Sequence, residues 1–388
     1  MQRRRFSLAC LGALAIVSIM LVPSATAVAV TSTYDVVVGQ FLAGAPAESM
    51  RFFPSTIDVH QGDVLHFTSD SFHTATLLPV GAGPVEWFDA NATGDAPYAI
   101  LQRDKDDGAR AYVFSTPVAL PTDPTCGGPS QPICSFDGTS VLNSGIPLAG
   151  PMEMSVSVDV APGNTIYVVC LIHGAMMRMG VHVVKASRPA SDPAALAAGN
   201  AAAIAQDTDS AAALDAKFSS MYTSHETATG TVWDAWAGVE NRYVTLYGMY
   251  PKKLKIARGD TVQWHFDQLN YEIHTVTFPM DTAKAVADNS FFPVCDTGAG
   301  ADSPPDLPGP PFCSDPSQLE LQLDNRFVAP HGDGSFEGTD YQNSGVRGGV
   351  SPIGDANYDL SFGYRSGDTP FQYICLVHEF MRGRIVVR

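Results

Sequence analysis

Short segments rich in Val, Ile and aromatic residues, each bounded by Gly, Pro or Asn, recur along most of the chain. Residues 155–160, 165–170 and 181–184 are three of them, and each predicts a β-strand closed by turns. One stretch breaks the pattern. Residues 186–229 are Ala-rich, carry Pro189 and Pro193 near their start, and contain helix-favouring runs over 192–202 and 209–222, which predicts a helical linker between two β-rich regions. At the N-terminus, Arg3, Arg4 and Arg5 precede an apolar stretch over 6–22 and the small residues Ala25-Thr26-Ala27. This is the layout of an export signal, cleaved before Val28. Its twin arginine admits the Tat route as well as Sec. Later in the chain no stretch is apolar over a membrane-spanning length, because the Ala-rich run 194–213 is interrupted by Gln206, Asp207 and Asp209.

The two β-rich regions are versions of one pattern. Phe53-Pro54 through Gly62-Asp63 to Phe67 recurs as Tyr250-Pro251 through Gly259-Asp260 to Trp264, and Phe72-His73-Thr74-Ala75-Thr76 as Ile273-His274-Thr275-Val276-Thr277. SFDGTSVLNSG from Ser135 answers SFEGTDYQNSG from Ser335, and YVVCLIHGAMMRMG from Tyr167 answers YICLVHEFMRG from Tyr373. Aligned on their shared Pro, His, Phe and Cys residues, the blocks keep their order at offsets that drift only from 197 to 205, which points to a duplicated domain. The expected organisation is a signal peptide (1–27), a first domain (28–185), the linker (186–229) and a second domain (230–388). The fold class expected is all-β, with two Greek-key β-sandwiches.

Charge narrows the partners. The 40 Asp and Glu outnumber 23 Lys and Arg, and loss of the leader removes three more Arg, so the surface repels nucleic acid and anionic membrane and favours cations or cationic proteins.

Cysteine placement brings in the chemistry. Six Cys follow the leader, and Cys126 with Cys134, and Cys295 with Cys313, flank Gly/Pro-rich loops that a local disulfide would close. That leaves one Cys per repeat. Cys170 is followed by His173 and by Met176 and Met177, and Cys375 by His378 and Met381; upstream stand His73 and His274 in the shared His-Thr-x-Thr segment. Two imidazoles, a thiolate and a weak thioether hold both oxidation states of copper without the tetragonal geometry Cu(II) alone would choose, so the set His73, Cys170, His173 and the set His274, Cys375, His378, Met381 are two candidate copper sites. In the first repeat, counting from the ligand His selects Met176, whereas strand register, which puts Val181 and Val183 on the face of Ile385 and Val387, selects Met177. Met177 is preferred, with Met179 third. His66 and His265 have no counterpart in the other repeat and read as ordinary strand residues.

The ending CLVHEFMRGRIVV, and the entry to the His-bearing strand through Pro, then Val or Ile, then Gly-Asp, resemble cupredoxins of the plastocyanin and amicyanin type. The resemblance covers most of residues 32–185 and 230–388. The spans from upstream His to Cys, 97 and 101 residues, exceed those of the small family members, and they hold the Cys pairs and the repeated Asn-Ser-Gly. The resemblance implies two type 1 (blue) copper sites in an exported electron-transfer protein that cycles Cu(II)/Cu(I), with His173 or His378 at the surface where a redox partner docks. A basic partner would be steered by the acidic surface. Copper buffering or storage is the alternative use of the same ligands. An enzyme is not expected: multicopper oxidases and copper nitrite reductases add His-x-His pairs and a His beside the Cys, whereas no two His here are two apart and the Cys neighbours are Val169, Leu171, Ile374 and Leu376.

Overall fold

The computed structural model describes residues 31–91, 100–104, 110–114, 116–147, 150–228, 230–267, 272–295, 319–348, 356–367 and 369–388. The leader (1–27) and the expected Cys295–Cys313 pairing lie outside the described residues. The first half runs through β1 (Thr33–Leu42), β2 (Ala47–Phe53), β3 (Thr56–His60), β4 (Val64–Ser69), β5 (Thr76–Leu77), α1 (Pro84–Asn91), β6 (Ile100–Asp104), β7 (Arg110–Phe114), α2 (Thr116–Ala119), β8 (Cys134–Phe136), β9 (Leu142–Asn143), β10 (Met152–Val158), β11 (Thr165–Cys170) and β12 (Gly174–Val184). Helix α3 (Pro193–Ser219) follows. The second half runs through β13 (Ser224–Thr227), β14 (Gly230–Glu240), β15 (Val244–Tyr250), β16 (Lys253–Ile256), β17 (Thr261–His265), β18 (Thr277–Phe278), α4 (Met280–Ala287), β19 (Phe291–Cys295), β20 (Leu319–Leu323), α5 (Asn325–Val328), β21 (Ser335–Phe336), β22 (Gln342–Asn343), β23 (Asn357–Phe362), β24 (Phe371–Ile374) and β25 (Arg382–Val387).

Each half is a sandwich, as the strand pattern predicts. In β10 the sequence MEMSVSV buries every second residue, and in β25 RGRIVV does the same, so one face of each strand supplies core. The first sandwich sets β2-β1-β4-β10-β8 against β3-β12-β11-β5-β9, and the second sets β15-β14-β17-β23-β21 against β16-β25-β24-β18-β22. Parallel pairing of β1 with β4 has its equivalent in β14 with β17, and β3 with β12 in β16 with β25. The cores are separate: Phe52, Phe67, Val168 and Val181 sit in one, Trp264, Phe278, Phe362 and Tyr373 in the other.

The halves join in ways that no local pattern announced, among them antiparallel pairing of β7 with β20 in a four-stranded sheet drawn from both halves. Antiparallel pairing of β2 with β15, in register Ser49 to Val244, fuses one sheet of each sandwich into a single continuous sheet. Away from that seam, Val169, Leu171, Phe88 and Val118 pack with Val286, Phe327, Ile374 and Leu376 in a third apolar cluster. Residues 32–388 therefore form one compact unit.

Within the stretch expected as linker, α3 is one helix and not two runs. Asp192 caps it, accepting from the Ala194 N–H, and Pro193 occupies its first turn. Asp207, one of the acids that interrupt the apolar run in sequence, turns its side chain inward. It accepts from Ser49 Oγ at 2.5 Å and from Arg51 Nε and Nη2 at 2.8 and 2.7 Å, pinning the helix to β2 beside the seam. Asp207→Ala would leave Arg51 and Ser49 without their acceptor under the helix, and a loss of about 3 kcal/mol in urea unfolding is expected. A loss below about 0.5 kcal/mol, the range of ordinary surface changes, would show that α3 is held by its apolar contacts alone. Among the described residues no helix is long and apolar enough to cross a membrane.

Candidate metal centres

The ligands are placed by strand ends. His73 follows β4 and precedes β5, Cys170 ends β11, and His173 lies in the turn before β12. His274, Cys375 and His378 take the same places around β17, β18, β24 and β25. The fold thus gathers His73, Cys170 and His173 into one buried group and His274, Cys375 and His378 into another, with the ligand atoms of each group within 4.8 Å of one another. In the first, Cys170 Sγ lies 3.4 Å from His173 Nδ1 and 3.7 Å from His73 Nδ1, and the two Nδ1 atoms are 2.9 Å apart. In the second, Cys375 Sγ lies 3.9 Å from His378 Nδ1. Each sulfur also accepts one backbone N–H, from Thr74 at 3.4 Å and from Thr275 at 3.3 Å.

The repeated His-Thr-x-Thr and Asn-Ser-Gly segments form the scaffold beneath these groups. Thr74 Oγ1 accepts from the Leu171 N–H at 2.8 Å, and Thr275 Oγ1 from Leu376 at 2.7 Å, locking the His-bearing segment to the Cys-bearing one. Thr76 and Thr277 donate to Asn143 and Asn343, while Ser144 and Ser344 accept from the N–H of Ala75 and Val276. Sequence reading used only the His of the first segment and assigned the Asn-Ser-Gly repeat no role. Gly39 and Gly238, at positive φ in the bulges of β1 and β14, complete the frame: a Cβ at either would collide with the His73 or His274 ring.

Two carboxylates that sequence reading missed close the site. Glu48, on β2, accepts from His73 Nε2 at 2.7 Å, and Glu272 accepts from His173 Nε2 at 3.1 Å. Glu272 reaches across the halves to do so, and its other oxygen lies 3.4 Å from His378 Nε2. The outer nitrogens are thereby committed as donors, which leaves Nδ1 of His73 and His173 to face inward. The available signal was an acid inside a strand buried at nearly every position, AESMRFF, and an acid two residues before His274. It does not reveal which His the acid meets.

Electrostatics separate the groups. Burial opposes charge on His73, but the Glu48 carboxylate outweighs it and lifts the imidazole to about 9. Burial likewise opposes the Cys170 thiolate and the His173 imidazolium, yet their mutual attraction holds the thiol well below its ordinary range and raises His173 well above its own. In the second group burial wins. It pushes the Cys375 thiol up to about 11 and, with the neighbouring His378, pulls His274 down to about 3.

A soft cation fits both groups. His274 has both ring nitrogens buried without a hydrogen-bond partner, a costly arrangement that coordination through one of them would relieve. Paired Nδ1 atoms 2.9 Å apart beside a sulfur need a proton or a cation between them. Thiolate with two imidazoles suits copper. For the axial position, Met177 is 1% exposed in the core that holds Cys170, as is Met179, whereas Met176 is 42% exposed; Met381 is buried beside Cys375. His66 meets Ser155 and Glu153, and His265 meets Asn357 and Asp234, away from either group.

No protein-family model matches the chain and no curated protein matches it. Among solved structures it is similar to auracyanin A, a blue copper protein of Chloroflexus aurantiacus, at 16% identity over 40% of this chain and 98% of that one, with a TM-score of 0.20. It is also similar to a copper-containing nitrite reductase from Thermus scotoductus at 14% identity (92% of this chain, 68% of that one, TM-score 0.19) and to a blue copper oxidase from Nitrosomonas europaea at 11% (86% of each chain, TM-score 0.19). The paired sheets of each half, with the His-Cys-His group at one end, are cupredoxin-like, and the two groups fit type 1 copper sites.

Two expectations are corrected. The chain was expected not to be an enzyme; solved chains similar to it along most of its length include a nitrite reductase and multicopper oxidases, and its own two His-Cys-His groups leave an enzymatic role open. The expectation rested on the spacing of His residues in sequence, which says nothing of groups that the fold gathers from distant positions. Exposure of the ligand His holds only in part: His173 is 4% exposed under Glu272, and the His378 side chain is 17% exposed.

Proposed function

We propose that this chain is an exported two-copper redox protein built from tandem cupredoxin-like domains, with its two type 1 sites facing each other across the domain seam. The domains are 28–185 and 230–388, joined by 186–229, and the leader 1–27 directs export. His73, Cys170 and His173 with Met177 hold one ion, and His274, Cys375 and His378 with Met381 hold the other. Bound copper supplies reversible one-electron chemistry. The observation that carries the reading is Glu272, one buried carboxylate in contact with a ligand imidazole from each group. It fixes the outer edges of His173 and His378 toward one another, which is the arrangement two communicating redox sites require and two independent storage sites do not.

The remaining residues prepare the sites. Thr74, Thr275, Asn143 and Asn343 hold the ligands in place before metal arrives, and each sulfur accepts a backbone N–H from the Thr that follows the upstream His. Contact with a partner falls to the second group. His378 packs against Tyr247 at a tilt, with ring centroids 4.6 Å apart, and Phe380 and Phe41, both exposed, flank Tyr247. This aromatic surface is the face offered to a redox partner, with the acidic chain around it steering a basic one.

Copper quantification with a visible spectrum tests the reading. Two coppers per chain with intense thiolate-to-copper absorption are expected. A loaded protein that is colourless, as a zinc protein with the same ligands would be, overturns it.

A further inference from the structure

The halves repeat their ligands but not the groups behind them. Glu48 is 2% exposed and receives three donors: His73 Nε2 at 2.7 Å, the Tyr247 hydroxyl at 2.7 Å and the Ser71 hydroxyl. A carboxylate surrounded by donors alone is held ionised. In the second half, nine residues beyond the bulge glycine stands Tyr247, where nine residues beyond Gly39 stands Glu48. The Tyr247 hydroxyl points to Glu48 and not to His274, whose Nε2 is buried with no partner. Glu272 serves both groups, closer to His173 at 3.1 Å than to His378 at 3.4 Å. The first group therefore has a carboxylate hydrogen-bonded to its own His73 and a share in Glu272; the second is in contact with Glu272 alone and feels Glu48 only at longer range.

Resting on the two-copper reading, we infer that Glu48 makes the sites unequal, holding the His73–Cys170–His173 site at a lower reduction potential than the His274–Cys375–His378 site. The oxidised ion carries one more positive charge than the reduced ion. A buried anion one imidazole away stabilises that extra charge, and its hydrogen bond makes the imidazole a more basic ligand. Both effects favour the oxidised ion in the first site and have no counterpart at His274. Glu48 is thus a positioning residue that sets an order of reduction: the second site fills with an electron first.

A redox titration of the copper-loaded full chain, followed by visible and paramagnetic resonance spectra, tests this. Cys375→Ser leaves the first site to be read alone, and Cys170→Ser the second. The first should have the lower potential, so that the singly reduced wild type carries its electron on the second site with a preference of about ten-fold or more, the scale of a buried charge at an effective dielectric of about 20. Glu48→Gln should raise the first potential more than the second and so narrow the gap, and Glu48→Asp should restore part of it. Equal potentials, the reverse order, or a first potential indifferent to Glu48→Gln would overturn the inference while leaving the two-copper reading intact. Should Glu48→Gln not fold, the order read from the two Cys variants decides alone. A loaded wild type without thiolate absorption sinks both.

Discussion

Cys170→Ser should abolish the thiolate-to-copper absorption of the first site and leave the second, removing about half of the wild-type intensity, and Cys375→Ser should do the converse. The double variant should be colourless. Both sulfurs are fully buried free thiols, each accepting one backbone N–H that a serine oxygen can also accept, so the fold should survive. What a serine cannot supply is the soft, polarizable donor that gives the intense band and retains the reduced ion. Absorption, copper counts and circular dichroism on the three variants check this together. Unchanged dichroism with loss of one band per substitution is the expected result. A variant that keeps full colour, or one substitution that bleaches both sites with the fold intact, would break the assignment of one thiolate to each site. The Cys126–Cys134 disulfide, closed across its short loop, leaves both ligand thiols out of any bridge, so non-reducing peptide mapping should find Cys170 and Cys375 unpaired.

The candidate ligands were legible because they are local and repeated. Cys170 with His173 and Cys375 with His378 are each three residues apart at a strand end, and the strand register that carries them recurs through the chain. The all-β class was legible for the same reason, since alternation in strands such as β10 and β25 is a local property. What joins the halves was not. Glu48 meets Tyr247 across 199 positions, and Glu272 meets His173 across 99, pairings that depend on β2 lying beside β15. Nothing in either strand names its partner. Asp207 shows the same limit from another side: its charge marks only an interruption of the apolar run, and nothing near it in sequence names the Arg51 and Ser49 that receive it.

Removing Glu272 should weaken both sites at once. Its Oε2 accepts from His173 Nε2, while Oε1 accepts from the Ile273 N–H at 3.2 Å and faces His378 Nε2. Glu272→Leu leaves two imidazole N–H groups in a buried seam without an acceptor, each at about 1–3 kcal/mol, and frees both rings to turn away from their Nδ1-inward orientation. Loss of such an orienting carboxylate lowers metal affinity by about 10–100-fold, and here the loss should appear at both ions. Glu272→Gln is the more diagnostic change. One amide oxygen can still accept from one imidazole, but the amide NH2 then confronts the other N–H as donor against donor, so one site should be spared at the expense of its neighbour. Copper removal by a competing chelator, followed separately for each site in the Cys170→Ser and Cys375→Ser backgrounds, reads these effects apart. The expected pattern is parallel loss in Glu272→Leu, unequal loss in Glu272→Gln, and loss confined to the first site when Glu48 is replaced instead, because Glu48 touches His73 alone among the ligands. If Glu272→Leu weakened only one site, the carboxylate would belong to that site, and the seam would hold two independent coppers.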